Sequence, residues 1–221
     1  GSSTVVDRNG ASHCDQAVAN AVRMAFRNSG TKADQIGHVH AHGLSTRRSD
    51  QEEAAIALEE LLEQLEREGK DQIVSLFLSD TRITDADLVH LKGMTRLEHL
   101  VLPSQITNAG LAHLKELTTL KDLHLSGTEI NDDGLEHLRT LTDLSTLSLS
   151  GTKITDAGLL HLKELVNLER LYLDDTEITD AGLEYLRGLA KLNILNVGDT
   201  QITFEGRSKL EKALPRLNIN Q

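Results

Sequence analysis

From Leu76 onward the chain repeats itself, as LFLSDTRITDADLVHLKGM, LHLSGTEINDDGLEHLRTL, LSLSGTKITDAGLLHLKEL and LYLDDTEITDAGLEYLRGL. Leu76, Leu100, Leu123, Leu147, Leu171 and Leu195 hold one register, so their separations by subtraction are 24, 23, 24, 24 and 24 residues. A unit this short cannot bury its own apolar face, and stacking on its neighbours is the way it gains a core. Such a stack offers a long repeated surface in preference to one deep pocket, so the pattern points first to a binding scaffold.

Within a unit, the L-x-L element alternates with the period of a short strand, which turns Leu147 and Leu149 inward and the residues between them outward. Thr152 follows in the turn, and Thr128, Thr176 and Thr200 share its register, so their hydroxyls are placed to satisfy buried turn backbone. After the inward Ile154, Thr155 is placed to cap a helix, a position held elsewhere by Thr84, Thr107, Asn131, Thr179 and Thr203. Asp156 then sits in the first turn, where the helix dipole favours a negative charge. Leu159, Leu162, Leu165 and Leu168 come every third position and form one buried stripe leading to the next strand. The block closes with KALPRLNIN, whose changed spacing, Pro215 and Ile219 suit an atypical capping unit.

The TDAGLxxLxxL pattern resembles bacterial leucine-rich repeats of the type related to the ribonuclease-inhibitor and cysteine-containing classes, over roughly residues 73–221. The resemblance implies an α/β curved solenoid of about six repeats, with a parallel sheet inside and helices outside, and no particular ligand; the repeated surface, the acidic charge and the lack of a complete catalytic set point to a protein or peptide as partner. On that geometry the outward strand residues make the concave face. The candidate binding residues there are Phe77, His99, Val101, Asp122, His124, Ser148, Arg170, Tyr172, Asp174 and Asn196. Aromatic residues and arginine are common interface anchors. The competing reading makes these tolerated surface positions in a drifting repeat. Pro103 falls in the second unit, the one a residue shorter, where the sheet is expected to be irregular.

The first seventy residues carry no repeat and read as helix, strand, helix. Residues 12–28 put Ala17, Val18, Ala21, Val22, Ala25 and Phe26 on one stripe before Gly30, IGHVHA is a short strand, and Ser49 with Glu52 forms a capping box for a second helix ending near Gly69. ADQIGHVHAHGLSTRRSDQEEAAIA resembles the segment of β-ketoacyl synthases, in the thiolase superfamily, that contains the VNAHGTST-type motif, and the likeness covers about residues 1–58. By that resemblance His42 matches a histidine assisting decarboxylation in those enzymes. Leu44 stands where they have Thr, and neither a nucleophilic cysteine segment nor a second catalytic histidine with its glycine-rich context is present. Cys14, the single cysteine, lies in no nucleophile motif. His42 is therefore read as vestigial, and the chain as non-enzymatic, without cofactor. The economical role for residues 1–69 is an N-terminal cap on a solenoid formed by residues 70–221, with strand 36–41 extending the repeat sheet. A runner-up makes the chain the C-terminal part of a condensing-enzyme-like acyl-transfer protein, with the repeats as a docking arm.

Two histidine arrays raise the question of metal. His38, His40 and His42 alternate on one strand face, while His90, His113, His137 and His161 recur along the helices with Tyr185 in the fifth register. Strand rise splays the first set too far, with the outer two roughly 13 Å apart, and inheritance of one repeat position explains the second, so no metal site is assigned. A net charge of −11, spread along the chain, argues against a nucleic-acid or anionic-membrane surface. No run approaches a membrane span, and one cysteine without a partner fits a reducing, cytoplasmic setting. Aromatics are 2% of residues, so the core must be aliphatic.

Overall fold

A computed structural model describes the backbone of His38–His40 together with residues 73–79, 81 and 83–221. Among the described residues eight parallel strands lie in chain order in a single sheet, β1 (His38–His40), β2 (Ser75–Phe77), β3 (His99–Val101), β4 (Asp122–His124), β5 (Thr146–Ser148), β6 (Arg170–Tyr172), β7 (Ile194–Asn196) and β8 (Asn218–Asn220). The register never slips: Val39 pairs with Leu76, and the column runs on through Leu100, Leu123, Leu147, Leu171 and Leu195 to Ile219. A one-residue slip would turn every buried leucine to solvent, which is why one apolar column pins the whole sheet. The six leucines from Leu76 to Leu195 are completely buried. This is the α/β leucine-rich-repeat solenoid that the period implies. Apart from β1, the expected cap of residues 1–69, with its expected helices 12–28 and 50–68, Cys14 and His42, lies outside the described residues.

Each repeat returns through a short helical segment, such as Asp156–Leu159 running on into a tighter turn at Leu160–Glu164. The tight form has three residues per turn, so a strict every-third spacing keeps Leu159, Leu162, Leu165 and Leu168 on one face, and all four are fully buried. Thr155 caps this segment by accepting from the Ala157 amide at 3.3 Å, and Thr107, Asn131, Thr179 and Thr203 accept in the same way in their own repeats. The turn threonines behave as their ladder predicts: Thr128, Thr152, Thr176 and Thr200 each donate to the carbonyl three residues back, at 2.6, 2.6, 2.6 and 2.7 Å, and Thr81 does the same at 2.8 Å. The residue before each turn threonine takes a positive φ in four repeats, at Gly127, Gly151, Asp175 and Asp199. Glycine is unstrained there and aspartate is among the side chains that tolerate it.

The acidic residue at the helix start does more than meet the dipole. Asp156 accepts from the Thr179 amide at 2.8 Å and from the Thr179 hydroxyl at 2.6 Å, clasping the following repeat. Asp85 holds Thr107, Asp132 holds Thr155 and Asp180 holds Thr203 in the same two-bond manner. The glycine of each D-x-G makes room: a Cβ on Gly158 would stand 2.4 Å from Asp132 Oδ1. At the ends the ladder closes on itself. Thr84 donates to its own Asp87, and the last helix, Phe204–Ala213, opens on exposed Phe204 where the other repeats have Asp or Asn.

Candidate binding face

The outward residues of the strands form two rows. Ser75, His99, Asp122, Thr146, Arg170, Ile194 and Asn218 make the first; Phe77, Val101, His124, Ser148, Tyr172, Asn196 and Asn220 make the second. Adjacent members stand opposite one another on neighbouring strands, close enough for side chains to interact.

The first row is joined across four strands. His99 Nδ1 lies 2.6 Å from Asp122 Oδ2, Ser145 donates to Asp122 Oδ1 at 3.4 Å, and Arg170 donates from Nε to the Thr146 hydroxyl at 2.9 Å. A terminal guanidinium nitrogen of Arg170 is 3.9 Å from Asp122 Oδ1. Partial burial alone would raise the Asp122 carboxyl. The hydrogen bonds of Thr146 and His99, with the charges of His99 and Arg170, outweigh it and hold the group below its ordinary value. With the guanidinium's Nε committed to Thr146, Arg170 keeps 42% of its side chain in solvent and can meet a partner's oxygens.

In the second row His124 is half-buried, and burial pushes its imidazole down, against the upward pull of Asp122 and helped by His99. Phe77, Val101, Tyr172 and Asn196 are also half-buried. Ser148 is 6% exposed. It lies between the larger His124 and Tyr172, with its hydroxyl 2.5 Å from that of Ser126, so it forms floor where the alternation alone suggested contact surface. Thr146, between Asp122 and Arg170, is buried for the same reason of neighbour size, and Pro103 is buried as well. Asp174, beyond the row, accepts from Ser150 Oγ at 3.1 Å and from the Gly198 amide at 2.8 Å, which orients its carboxylate.

All ten candidate residues therefore lie on one face, and the lateral hydrogen bonds among them were not foreseen. Only register, known once the strands are paired, puts His99 beside Asp122. The histidines at 90, 113, 137 and 161 lie on the opposite side, and among the described residues no cluster of three or more metal-ligating side chains is formed. No helix among the described residues is long and apolar enough to cross a membrane.

Comparison with known proteins agrees with this architecture. Residues 116–138, 137–163 and 164–186 match the Leucine Rich repeat model, and residues 3–76 match the C-terminal domain of beta-ketoacyl synthase. Among solved structures, an internalin from Listeria monocytogenes is similar with a TM-score of 0.50 and 21% identity, over 68% of this chain and 48% of that one. A leucine-rich-repeat protein of Leptospira interrogans gives 0.52 and 23%, over 73% and 39%. The chain thus spans less than half the length of either, and at these identities the likeness speaks for the fold. No curated protein matches the sequence.

Proposed function

We propose that this chain is a non-enzymatic protein-interaction scaffold that binds a protein or peptide on the concave sheet face, through Phe77, His99, Val101, Asp122, His124, Arg170, Tyr172, Asp174 and Asn196, with Ser148 as floor. The observation that carries the reading is the contrast between constant and varied positions. The core leucines and the clasps recur from repeat to repeat, while the outward rows change at almost every strand and gather aromatic, guanidinium and imidazole groups. The partner is protein in preference to nucleic acid or membrane, no cofactor or metal takes part, and the lone cysteine favours a cytoplasmic site. Residues 1–69 serve as the N-terminal cap, with His42 vestigial. Support comes from β1, whose backbone extends the sheet beside β2 in the same register. On this reading a 70–221 fragment loses cooperative melting and aggregates; a soluble, cooperatively melting fragment refutes the cap.

The test of the scaffold is affinity capture from source-cell lysate with three proteins: the intact chain, Phe77→Ala/Tyr172→Ala, and Lys163→Ala/Val166→Ala on the helix side as control. The expected result is a specific protein retained by the first and third and lost by the second. Retention by all three places binding elsewhere.

A second reading is favoured by the match of residues 3–76 to the C-terminal domain of beta-ketoacyl synthase. In it the chain is the C-terminal part of a condensing-enzyme-like protein and the repeats are its docking arm. A segment with a nucleophilic cysteine encoded upstream of Gly1 would favour this reading.

A further inference from the structure

We infer that the step between the second and third repeats is the hinge of the solenoid. The three later steps are each closed by the same set of bonds at the turn and helix start. Between the third and fourth repeats, the Gly127 amide donates to Ser150 O, the Lys153 amide donates to Ile130 O, and Asp132 clasps Thr155. The next step repeats the set with Gly151 to Asp174, Glu177 to Ile154 and Asp156 with Thr179, and the one after with Asp175 to Gly198, Gln201 to Ile178 and Asp180 with Thr203.

The step from the second to the third repeat breaks this set three times. Its interval is 23 residues, and Pro103-Ser104-Gln105 stands where the third repeat has Ser126-Gly127-Thr128-Glu129. The turn threonine and the positive-φ residue are therefore missing from the second repeat. Among the described residues, no backbone bond equivalent to Gly127–Ser150 or Lys153–Ile130 crosses this step. The charged clasp is also replaced: Asn108 donates to Asn131 Oδ1 at 2.5 Å and accepts from the Asn131 amide at 3.1 Å, a neutral pair where the other steps have a carboxylate. Hydrogen bonds to a charged group are stronger than neutral ones. Gln105 bonds back to the Thr81 and Ile83 carbonyls, tying the second repeat to the first and not to the third.

In a repeat array, stability is a sum of unit and interface contributions, so openings concentrate at the weakest interface. On the sheet face the same step is bridged by His99 and Asp122 of the first row. A partner spanning His99 and Arg170 would therefore grip both sides of the hinge and fix its angle.

Per-residue amide exchange by NMR on the intact chain tests this, using strand bonds that every step possesses. Leu102 donates to His124 O and Asp122 to Glu98 O across the proposed hinge; Leu125, Leu149, Leu173, Thr146, Arg170 and Ile194 make the equivalent bonds at the later steps. The first pair should exchange about tenfold faster than the six, given the loss of two backbone bonds. Leu78 and His99 report on the preceding step, which among the described residues lacks the counterpart of the Lys153–Ile130 bond but keeps the Asp85–Thr107 clasp and the two Gln105 bonds, and should stay slow. Equal rates at all steps overturn the hinge, as does Leu78 exchanging as fast as Leu102, which would mean fraying from the end. As a second measurement, the third repeat's Ser-Gly-Thr-Glu turn is grafted in place of residues 103–105, together with Asn108→Asp and Asn131→Thr. The graft should bring Leu102 and Asp122 to the rates of the later steps; a folded graft that leaves them fast also overturns it.

Discussion

The helix-start edge and the sheet face are built from the same repeats and treat them in opposite ways. At the edge one arrangement recurs, a carboxylate holding the next repeat's threonine over a glycine, in four of the five clasps. On the face, the first row reads Ser, His, Asp, Thr, Arg, Ile, Asn, with no member repeated. A chain that repeats itself carries its own internal control. Positions that stay constant are those the stack needs, and positions that change are those the stack leaves free to vary.

Substitutions can break that contrast. The largest effect belongs to the core column: Leu147→Ala should cost about 2–5 kcal/mol, read as a lowered denaturant midpoint, because the emptied volume lies between fully buried neighbours. Next is the edge. Asp132→Ala strips two hydrogen bonds from Thr155 and should cost about 1–3 kcal/mol in the same assay. Gly158→Ala should fall in the same range, since its methyl meets Asp132 Oδ1.

A smaller effect should appear with pH. Burial lowers the His124 pKa in the folded chain from 6.5, so the unfolded chain binds the proton more readily. Stability should therefore decline as pH falls below about 6.5 towards the lowered folded value, and His124→Gln should lose that part of the slope. Asp122 works in the same direction at lower pH. Its lowered pKa adds stability above 3.8 that is lost as pH falls through the folded value, so the two contributions separate by pH range. The smallest effect on stability belongs to the face: Tyr172→Ala, which removes a half-buried cross-strand aromatic, should cost no more than about 1 kcal/mol while abolishing capture of the partner. A cost at Tyr172 as large as that at Asp132 would erase the distinction between edge and face.

Much of the architecture was legible because its cause is local or strictly periodic. The leucine column, the capping residues and the turn threonines each follow from spacing within one unit. The Asp–Thr clasp is a finding of the structure, although its signal is present in the sequence as the recurring interval between each Asp and the next unit's Thr, 22 residues from Asp85 and 23 from Asp132, Asp156 and Asp180. A helix-dipole role explained Asp156 locally and left no reason to look 23 residues ahead. Alternation gives direction only, so it turns Ser148 outward as contact surface; its burial depends on the size of its cross-strand neighbours His124 and Tyr172, which needs the register. The hinge was half visible in the shorter second interval, and the neutral Asn108–Asn131 pair supplied the rest.

The central claim concerns which face works, and the chain's few aromatic side chains can report on it. Tyr172 and Phe77 lie on the sheet face, whereas Tyr185, 39% exposed, and Phe204, 79% exposed, lie on the helix side. Hydroxyl-radical footprinting of the intact chain, alone and with its captured partner, reads all four in one experiment. The account predicts that Tyr172 and Phe77 lose reactivity on binding while Tyr185 and Phe204 keep it. Protection of Tyr185 and Phe204 with Tyr172 unchanged would contradict it.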